Sequence, residues 1–130
     1  MRPASDQLAA LLASVPYARY LGIQAEFCGD EMTLILPFAP HLVGNPILPA
    51  LHGGVLGAFM EITAIAQLSI LQGLVHQPKP IDVSVEYLRP ARTQTTQARA
   101  FVRKMGKRVA NVHVEAWQDS PDIPITLLRG

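Results

Sequence analysis

The 130-residue chain has few of the features that mark several common classes of protein. Its single cysteine, Cys28, excludes an internal disulfide and suits a reducing compartment, so we expect a cytoplasmic protein. Only 16% of the residues are charged and the net charge is +1, which gives no electrostatic reason to expect binding to nucleic acid or to an anionic membrane. No repeat, linker or low-complexity tract divides the sequence. We therefore expect one domain spanning residues 1–130.

Apolar residues, by contrast, make up 49% of the chain. This is a high share for a soluble monomer, and the excess suits a subunit interface or an apolar ligand. The most apolar stretch, from Val55 to Val75, approaches membrane-spanning length, but it contains Glu61. Because a central acid costs about 2.5–3.5 kcal/mol in a bilayer, we interpret this stretch as a helix buried in protein.

The order of apolar patterns predicts an α+β fold. Spacing near 3.6 residues indicates helices, and strict alternation of apolar and polar residues indicates strands. Short turns between the later strands, including one at Gly106, favour antiparallel pairing, so we expect a sheet packed on one long helix. The predicted elements are a helix at 5–14, strands at 20–27 and 32–38, an irregular loop at 41–50, a helix from 52 to 71 or 72, and strands at 81–88, 95–102, 109–117 and 123–128.

The start of the long helix, residues 50–61, reads ALHGGVLGAFME and has an unusual composition. Glycines at a helix start leave backbone N–H groups uncovered by side chains, and the first N–H groups have no partner within the helix. With the positive end of the helix dipole, such groups can stabilise an oxygen that gains negative charge. Glu61, set among apolar residues, can act as a general base toward water or attack a carbonyl itself. Together they suggest a hydrolytic site.

Helix geometry constrains this site. Gly53 and Glu61 are eight residues apart, which is about 12 Å along a helix, so one carbonyl cannot touch both within a single chain. A second copy of the helix, packed antiparallel with Gly57 at the midpoint, would bring Gly53 of one subunit to Glu61 of the other. The sequence thus predicts an obligate homodimer. Each feature also has a structural interpretation. The glycines at the helix start would only cap the helix, Glu61 would pair with Arg89, Arg92 or another cation, and Gly57 would be a packing glycine inside one subunit.

Three segments together resemble a known family. They read LHGGVLGAFMEITAIA, IDVSVEYLRPAR and RKMGKRVANVHVEAW, and they resemble the hotdog-fold acyl-CoA thioesterases, in particular the phenylacetic-acid-degradation (PaaI-like) branch. The resemblance covers roughly residues 15 to 120. It implies an antiparallel sheet wrapped around one long helix, with sites built between the subunits of a dimer or of a dimer of dimers.

The resemblance also implies roles for individual residues. Gly53 would polarise the thioester carbonyl through its N–H, and Glu61 would activate water or form a transient anhydride. His52 would position the thioester or the water, with help from Asn45 in the preceding loop. Compared with the family pattern, Glu61 replaces the aspartate usual in the PaaI-like branch, and Ile65 stands where a hydroxyl residue is frequent. Asn45 also lies one residue farther from the histidine.

The implied substrate is an acyl-CoA, so coenzyme A arrives with the substrate and neither a metal nor a redox cofactor is expected. Because coenzyme A carries phosphates, cations at strand ends are candidate substrate contacts. Gly54, beside the carbonyl-binding N–H, and apolar Phe59, for the acyl group, complete the predicted substrate-binding set. The predicted cations are Arg89, Arg92, Lys104, Lys107 and Arg108.

Two other functions fit the same fold. The loop HLVGNPILP resembles that of hotdog-fold 3-hydroxyacyl-thioester dehydratases, in which His41 would be the base. That pattern places an acid about 14 residues later, where this chain has Val55, and Glu61 lies 20 residues away. A non-catalytic acyl-CoA-binding protein is the second alternative. Loss of activity on substituting His41 is expected only for the dehydratase.

Overall fold

The computed structural model describes residues 10–28, 31–39, 43–45, 50–51, 53–71, 82–89, 91–92, 94–106 and 109–130. In the described residues, short helices come first, strands follow, and one long helix then precedes four more strands, as the sequence pattern predicts. In chain order the helices and strands are residues 10–14 (α1), Pro16–Leu21 (α2), Gln24–Cys28 (β1), Glu31–Leu36 (β2), Val43–Asn45 (β3), Ala50–Leu51 (β4), Gly53–Leu71 (α3), Ser84–Tyr87 (β5), Thr96–Met105 (β6), Ala110–Trp117 (β7) and Thr126–Arg129 (β8).

Six strands form one antiparallel sheet in the order β1-β2-β6-β7-β8-β5. Strands β6 and β7 are the longest pair, and the hairpin between them closes with a hydrogen bond from the Gly106 N–H to the Val109 carbonyl, 2.8 Å long. Among the described strands, β5 pairs only with β8 and therefore forms one edge of the sheet. The predicted turn at Gly106 is confirmed.

Helix α3 packs across this sheet against β2, β6, β7 and β8. Phe59 and Met60 on its buried side have no exposed surface, and Ala98 and Ala116 on the facing strands are small enough to let the helix approach closely. By length and apolar composition alone, Gly53–Ile70 would suffice to cross a membrane. Its contacts with the sheet make it the core helix, and the predicted α+β architecture is confirmed.

Two predicted elements are wrong in detail. Tyr20 and Leu21, predicted as the start of a strand, instead end α2, because Gly22 adopts a left-handed conformation (φ 74°) and its N–H caps the helix. The segment 41–50, predicted as wholly irregular, contains the short antiparallel pair β3 and β4. The paired residues include no proline, so each of them keeps the backbone N–H that pairing requires.

Candidate active site

The site predicted from sequence lies on one face of helix α3. The helix begins at Gly53. Gly54, Gly57 and Glu61 are spaced three and then four residues apart, so these three residues share a face. The opposite side holds Leu56 and other buried residues that pack on the sheet. The shared face is only partly covered, since Gly54 is exposed and Gly57 and Glu61 are half-buried.

Glu61 has no charge partner in the described part of the chain. Its side chain is half-buried, and it makes no ion pair or hydrogen bond with any described residue. Both cations predicted as its partners are engaged elsewhere: Arg89 donates to the Pro124 carbonyl, and Arg92 lies 3.8 Å from the Asp119 carboxylate. The alternative interpretation of Glu61 as half of an ion pair with Arg89 or Arg92 is therefore wrong, and a half-buried carboxylate without a partner suits a reactive role.

Tyr87 covers the start of the helix. Its hydroxyl donates a hydrogen bond of 2.8 Å to the Gly53 carbonyl. A Cβ atom added to Gly53 would lie 3.3 Å from the Tyr87 hydroxyl oxygen and 3.4 Å from its Cζ, tighter than most real contacts. The ring thus occupies the space that a side chain at position 53 would need, which is a local reason for glycine there.

The sequence predicts the position of Tyr87 only in part. Alternation in strand β5 predicts that Tyr87 shares the inner face with Val85, and Val85 does pack against the core. Tyr87 itself is 57% exposed in the single chain. The reason is that β5 is the sheet edge, where the ring extends past the core to the first turn of α3.

The candidate phosphate-binding cations divide between the two ends of the sheet. Arg89 and Arg92 follow β5, at the end of the sheet where Tyr87 meets Gly53. Lys104 lies seven residues beyond Gln97 on β6, about 24 Å away along the strand. Within one chain, therefore, Arg89 and Arg92 lie at the same end of the sheet as the contact between Tyr87 and Gly53, and Lys104 lies at the other end.

The other predicted site residues lie in different parts of the fold or outside the described residues. Phe59 is fully buried in the core of the single chain. Asn45 lies in strand β3, where its backbone pairs with Ala50. Four candidates lie outside the described residues: His52, His41, Lys107 and Arg108.

A cavity of about 340 Å³ lies away from this helix face, between the N-terminal helices and β1. Its described lining includes Leu12, Ala18, Ile23 and Phe27, and none of the predicted site residues. Within the described ranges, no group of three or more histidine, cysteine, aspartate or glutamate residues is arranged to hold a metal ion.

Comparison with known proteins agrees with this architecture. A family model described as the thioesterase superfamily matches residues 48–125, which is more than half of the chain. The medium/long-chain acyl-CoA thioesterase YigI of Escherichia coli (strain K12) is 29% identical over 116 residues, covering 78% of this chain and 74% of YigI.

Solved structures extend the likeness over nearly the whole chain. A Chromobacterium violaceum protein is 36% identical with a TM-score of 0.77, and the match covers 95% of this chain and 86% of that one. The E. coli PaaI protein from the phenylacetic acid degradation operon has the same fold, with a TM-score of 0.81 at 21% identity over 98% of this chain and 90% of PaaI. The chain therefore belongs to the thioesterase superfamily and has the hotdog fold that it shares with PaaI, which confirms the fold and the enzyme class predicted from its sequence.

Proposed function

We propose that the chain hydrolyses an acyl-CoA thioester to a free acid and coenzyme A, with Glu61 as the reactive carboxylate. The observation that carries this proposal is that Glu61 is half-buried and without a partner among the described residues, on the helix whose first turn is glycine. Family membership supports the reaction class, and YigI supports a substrate with a medium or long acyl chain.

In the proposed reaction, the Gly53 N–H donates a hydrogen bond to the thioester oxygen. This N–H lies at the first position of α3, where it has no partner within the helix. As water adds to the carbonyl carbon, the oxygen gains negative charge, which the N–H and the helix dipole stabilise. The C–S bond then breaks, and the coenzyme A thiolate takes up a proton.

Glu61 can take either of two parts in this sequence of steps. As a general base, it accepts a proton from water while the oxygen of that water bonds to the carbonyl carbon. As a nucleophile, its carboxylate oxygen bonds to the carbonyl carbon and expels the thiolate, and water then hydrolyses the resulting anhydride. Both routes consume one water and regenerate the carboxylate.

The proposed site requires two subunits. Within one chain, Gly53 and Glu61 are separated by about 12 Å of helix. Edge strand β5 supports pairing with a second copy, because its flank carries exposed apolar side chains at Val83, Tyr87 and Leu88. Tyr87 also contacts Gly53, so a second copy bound along this edge would lie beside the helix start. We place the two-fold axis near Gly57.

Arg89 and Arg92 are the proposed contacts for the coenzyme A phosphates. Both lie at the end of the sheet that holds the helix start, and Arg92 is exposed. An arginine side chain can bind a phosphate through two parallel hydrogen bonds. Lys104, at the other end, is available to the same substrate only if it comes from the partner subunit.

The decisive experiment measures release of free coenzyme A with a thiol reagent across a panel of aliphatic and aromatic acyl-CoAs. We expect wild-type protein to release coenzyme A and Glu61→Gln, which keeps the shape but not the charge, to be at least about 100-fold slower. Equal rates in the two proteins would disprove the role of Glu61.

The same panel separates the two alternative functions. Tight binding without release of coenzyme A would indicate a non-catalytic acyl-CoA-binding protein. Loss of water from a 3-hydroxyacyl-CoA that disappears in His41→Ala would indicate a dehydratase. His41→Ala therefore serves as the matched control for Glu61→Gln, and we expect it to retain hydrolysis.

A further inference from the structure

The contact between Tyr87 and Gly53 suggests a second functional residue, which lies far from Glu61 in sequence. Tyr87 is on edge strand β5, 34 residues after Gly53, yet its hydroxyl bonds to the Gly53 carbonyl at 2.8 Å. The ring also lies against the Gly53 Cα, as the 3.3–3.5 Å distances to an added Cβ show. An exposed tyrosine therefore contacts the glycine proposed to hold the substrate.

The hydrogen bond is to a carbonyl that already has a role in the helix. In an α-helix, the carbonyl of residue 53 accepts the N–H of residue 57, which here is Gly57. Tyr87 Oη also lies 3.8 Å from where a Cβ on Gly57 would be. The Tyr87 side chain thus lies against Gly53 and beside the space next to Gly57, one turn later. Glycine is the residue with the greatest backbone freedom, so a helix that starts on two glycines needs external support to keep its first turn fixed.

We propose that Tyr87 is a positioning residue that fixes the first turn of α3 and thereby the direction of the Gly53 N–H. This inference rests on the proposed function for its catalytic consequence, although the anchoring itself does not. Preorganised donors stabilise a transition state because they need no reorganisation as charge develops. A first turn that moves freely would still bind substrate but would stabilise the oxyanion less well.

The neighbouring strand explains how Tyr87 is held in place. Its backbone pairs with Thr126 on β8, and Thr126 in turn pairs with Ala116 on β7. Thr126 and Ala116 have no exposed surface. Tyr87 is therefore fixed at its backbone by the sheet and at its hydroxyl by the helix, and it connects the two.

The first test uses Tyr87→Phe, which keeps the ring and removes only the hydroxyl. We expect kcat to fall about 3- to 10-fold, the usual effect of one lost hydrogen bond, while KM for acyl-CoA stays within about twofold. Tyr17→Phe, which removes a hydroxyl from helix α2, is the matched control and should leave both constants unchanged. A Tyr87→Phe enzyme with wild-type kcat would overturn the catalytic part of the proposal.

The second test does not depend on activity. The chain has nine glycines, so labelling with ¹⁵N-glycine gives a simple amide spectrum. In Tyr87→Phe we expect the Gly57 amide resonance to shift and its hydrogen exchange to speed up about 2- to 10-fold. The Gly130 amide, bonded to the Val112 carbonyl at 2.9 Å, should not change.

The two tests separate failure of this inference from failure of the proposed function. If wild-type protein hydrolyses no acyl-CoA, the proposed function fails, and exchange at Gly57 alone decides whether Tyr87 anchors the helix. If wild-type protein is active but Gly57 exchange is the same in Tyr87→Phe, the anchoring is refuted. Thermal unfolding of Tyr87→Phe and Tyr17→Phe, measured first, confirms that each variant is folded.

Discussion

A Cβ atom added to Gly57 would lie 3.8 Å from the Tyr87 hydroxyl oxygen, an ordinary van der Waals distance. Against the described residues of the chain, alanine therefore fits at position 57, and it should stabilise the helix by about 0.5–1 kcal/mol relative to glycine. In a dimer whose two helices cross at Gly57, the same methyl group would be forced against the partner. The substitution thus separates the two interpretations of this glycine.

We expect Gly57→Ala to weaken the dimer. The dimer dissociation constant, measured by sedimentation equilibrium, should rise at least about 10-fold, because packed interfaces tolerate added methyl groups poorly. The monomer should be no less stable than that of the wild type. A variant that is more stable and equally dimeric would mean that Gly57 only packs inside one subunit.

Two substitutions at Gly53 distinguish the effect of losing the backbone N–H from the effect of filling the space around it. Proline removes the N–H and is well tolerated at the first position of a helix, whereas alanine keeps the N–H. Both add a Cβ that would meet the Tyr87 hydroxyl oxygen at 3.3 Å, so both share the crowding at that atom, and only proline adds a ring carbon on the backbone nitrogen. We expect Gly53→Pro to lower kcat about 100-fold or more relative to Gly53→Ala, as for loss of one oxyanion donor. Equal kcat values would exclude the Gly53 N–H as that donor.

Mixed dimers test whether each site draws on two subunits. Glu61→Gln and Gly53→Pro protomers are each expected to be inactive alone. In a heterodimer, one of the two sites carries both substitutions and the other carries neither, so an equal mixture should recover about a quarter of wild-type activity. Recovery should fail if Glu61 and Gly53 act within one protomer. Mixing Glu61→Gln with a Glu61→Gln/Gly53→Pro double variant is the control, and it should stay inactive.

Features encoded by local spacing are predictable from the sequence. The helix position of Gly53, Gly57 and Glu61 follows from their separations, because an α-helix has a fixed rise and turn. The same holds for the hairpin at Gly106 and for the alternation in β6 and β7. These elements are enough to identify an antiparallel sheet packed on one long helix.

Features that depend on non-local pairing are not predictable in this way. Tyr87 reaches Gly53 only because β5 pairs with β8 at the sheet edge, and nothing in the spacing near Tyr87 indicates that partner. Likewise, the length of β6 places Lys104 at the opposite end of the sheet from Arg92. The end of α2 at Leu21 depends on the left-handed conformation of Gly22, which the surrounding strand-like pattern does not indicate.

Arg92 offers a test of the phosphate contact. Its ion pair with Asp119 is 3.8 Å long and both side chains are mostly exposed, so the pair contributes at most about 1 kcal/mol to stability. We expect Arg92→Ala to raise KM for acyl-CoA about 3- to 30-fold and to leave KM for an acyl-pantetheine thioester, which lacks the nucleotide phosphates, unchanged. Asp119→Asn should lower KM for acyl-CoA by freeing Arg92. A similar rise with both thioesters would mean that Arg92 does not bind the phosphates.

Two buried threonines on the sheet give a matched test of hydrogen-bond satisfaction. Neither Thr96 nor Thr126 has exposed surface. The Thr96 hydroxyl accepts a hydrogen bond of 3.1 Å from the Gln118 amide, whereas the Thr126 hydroxyl has no partner among the described residues. A buried hydroxyl without a partner loses its hydration and gains nothing in return.

Valine has nearly the shape of threonine and lacks the hydroxyl. We therefore expect Thr126→Val to raise the free energy of unfolding by about 1 kcal/mol. Thr96→Val removes one of the three oxygens that accept hydrogen bonds from the Gln118 amide, so we expect it to lower the free energy of unfolding by about 0.5–1.5 kcal/mol. Urea unfolding, with the protein concentration held constant, measures both changes. If Thr126→Val instead destabilised the protein, the Thr126 hydroxyl would have to form a hydrogen bond within the folded chain.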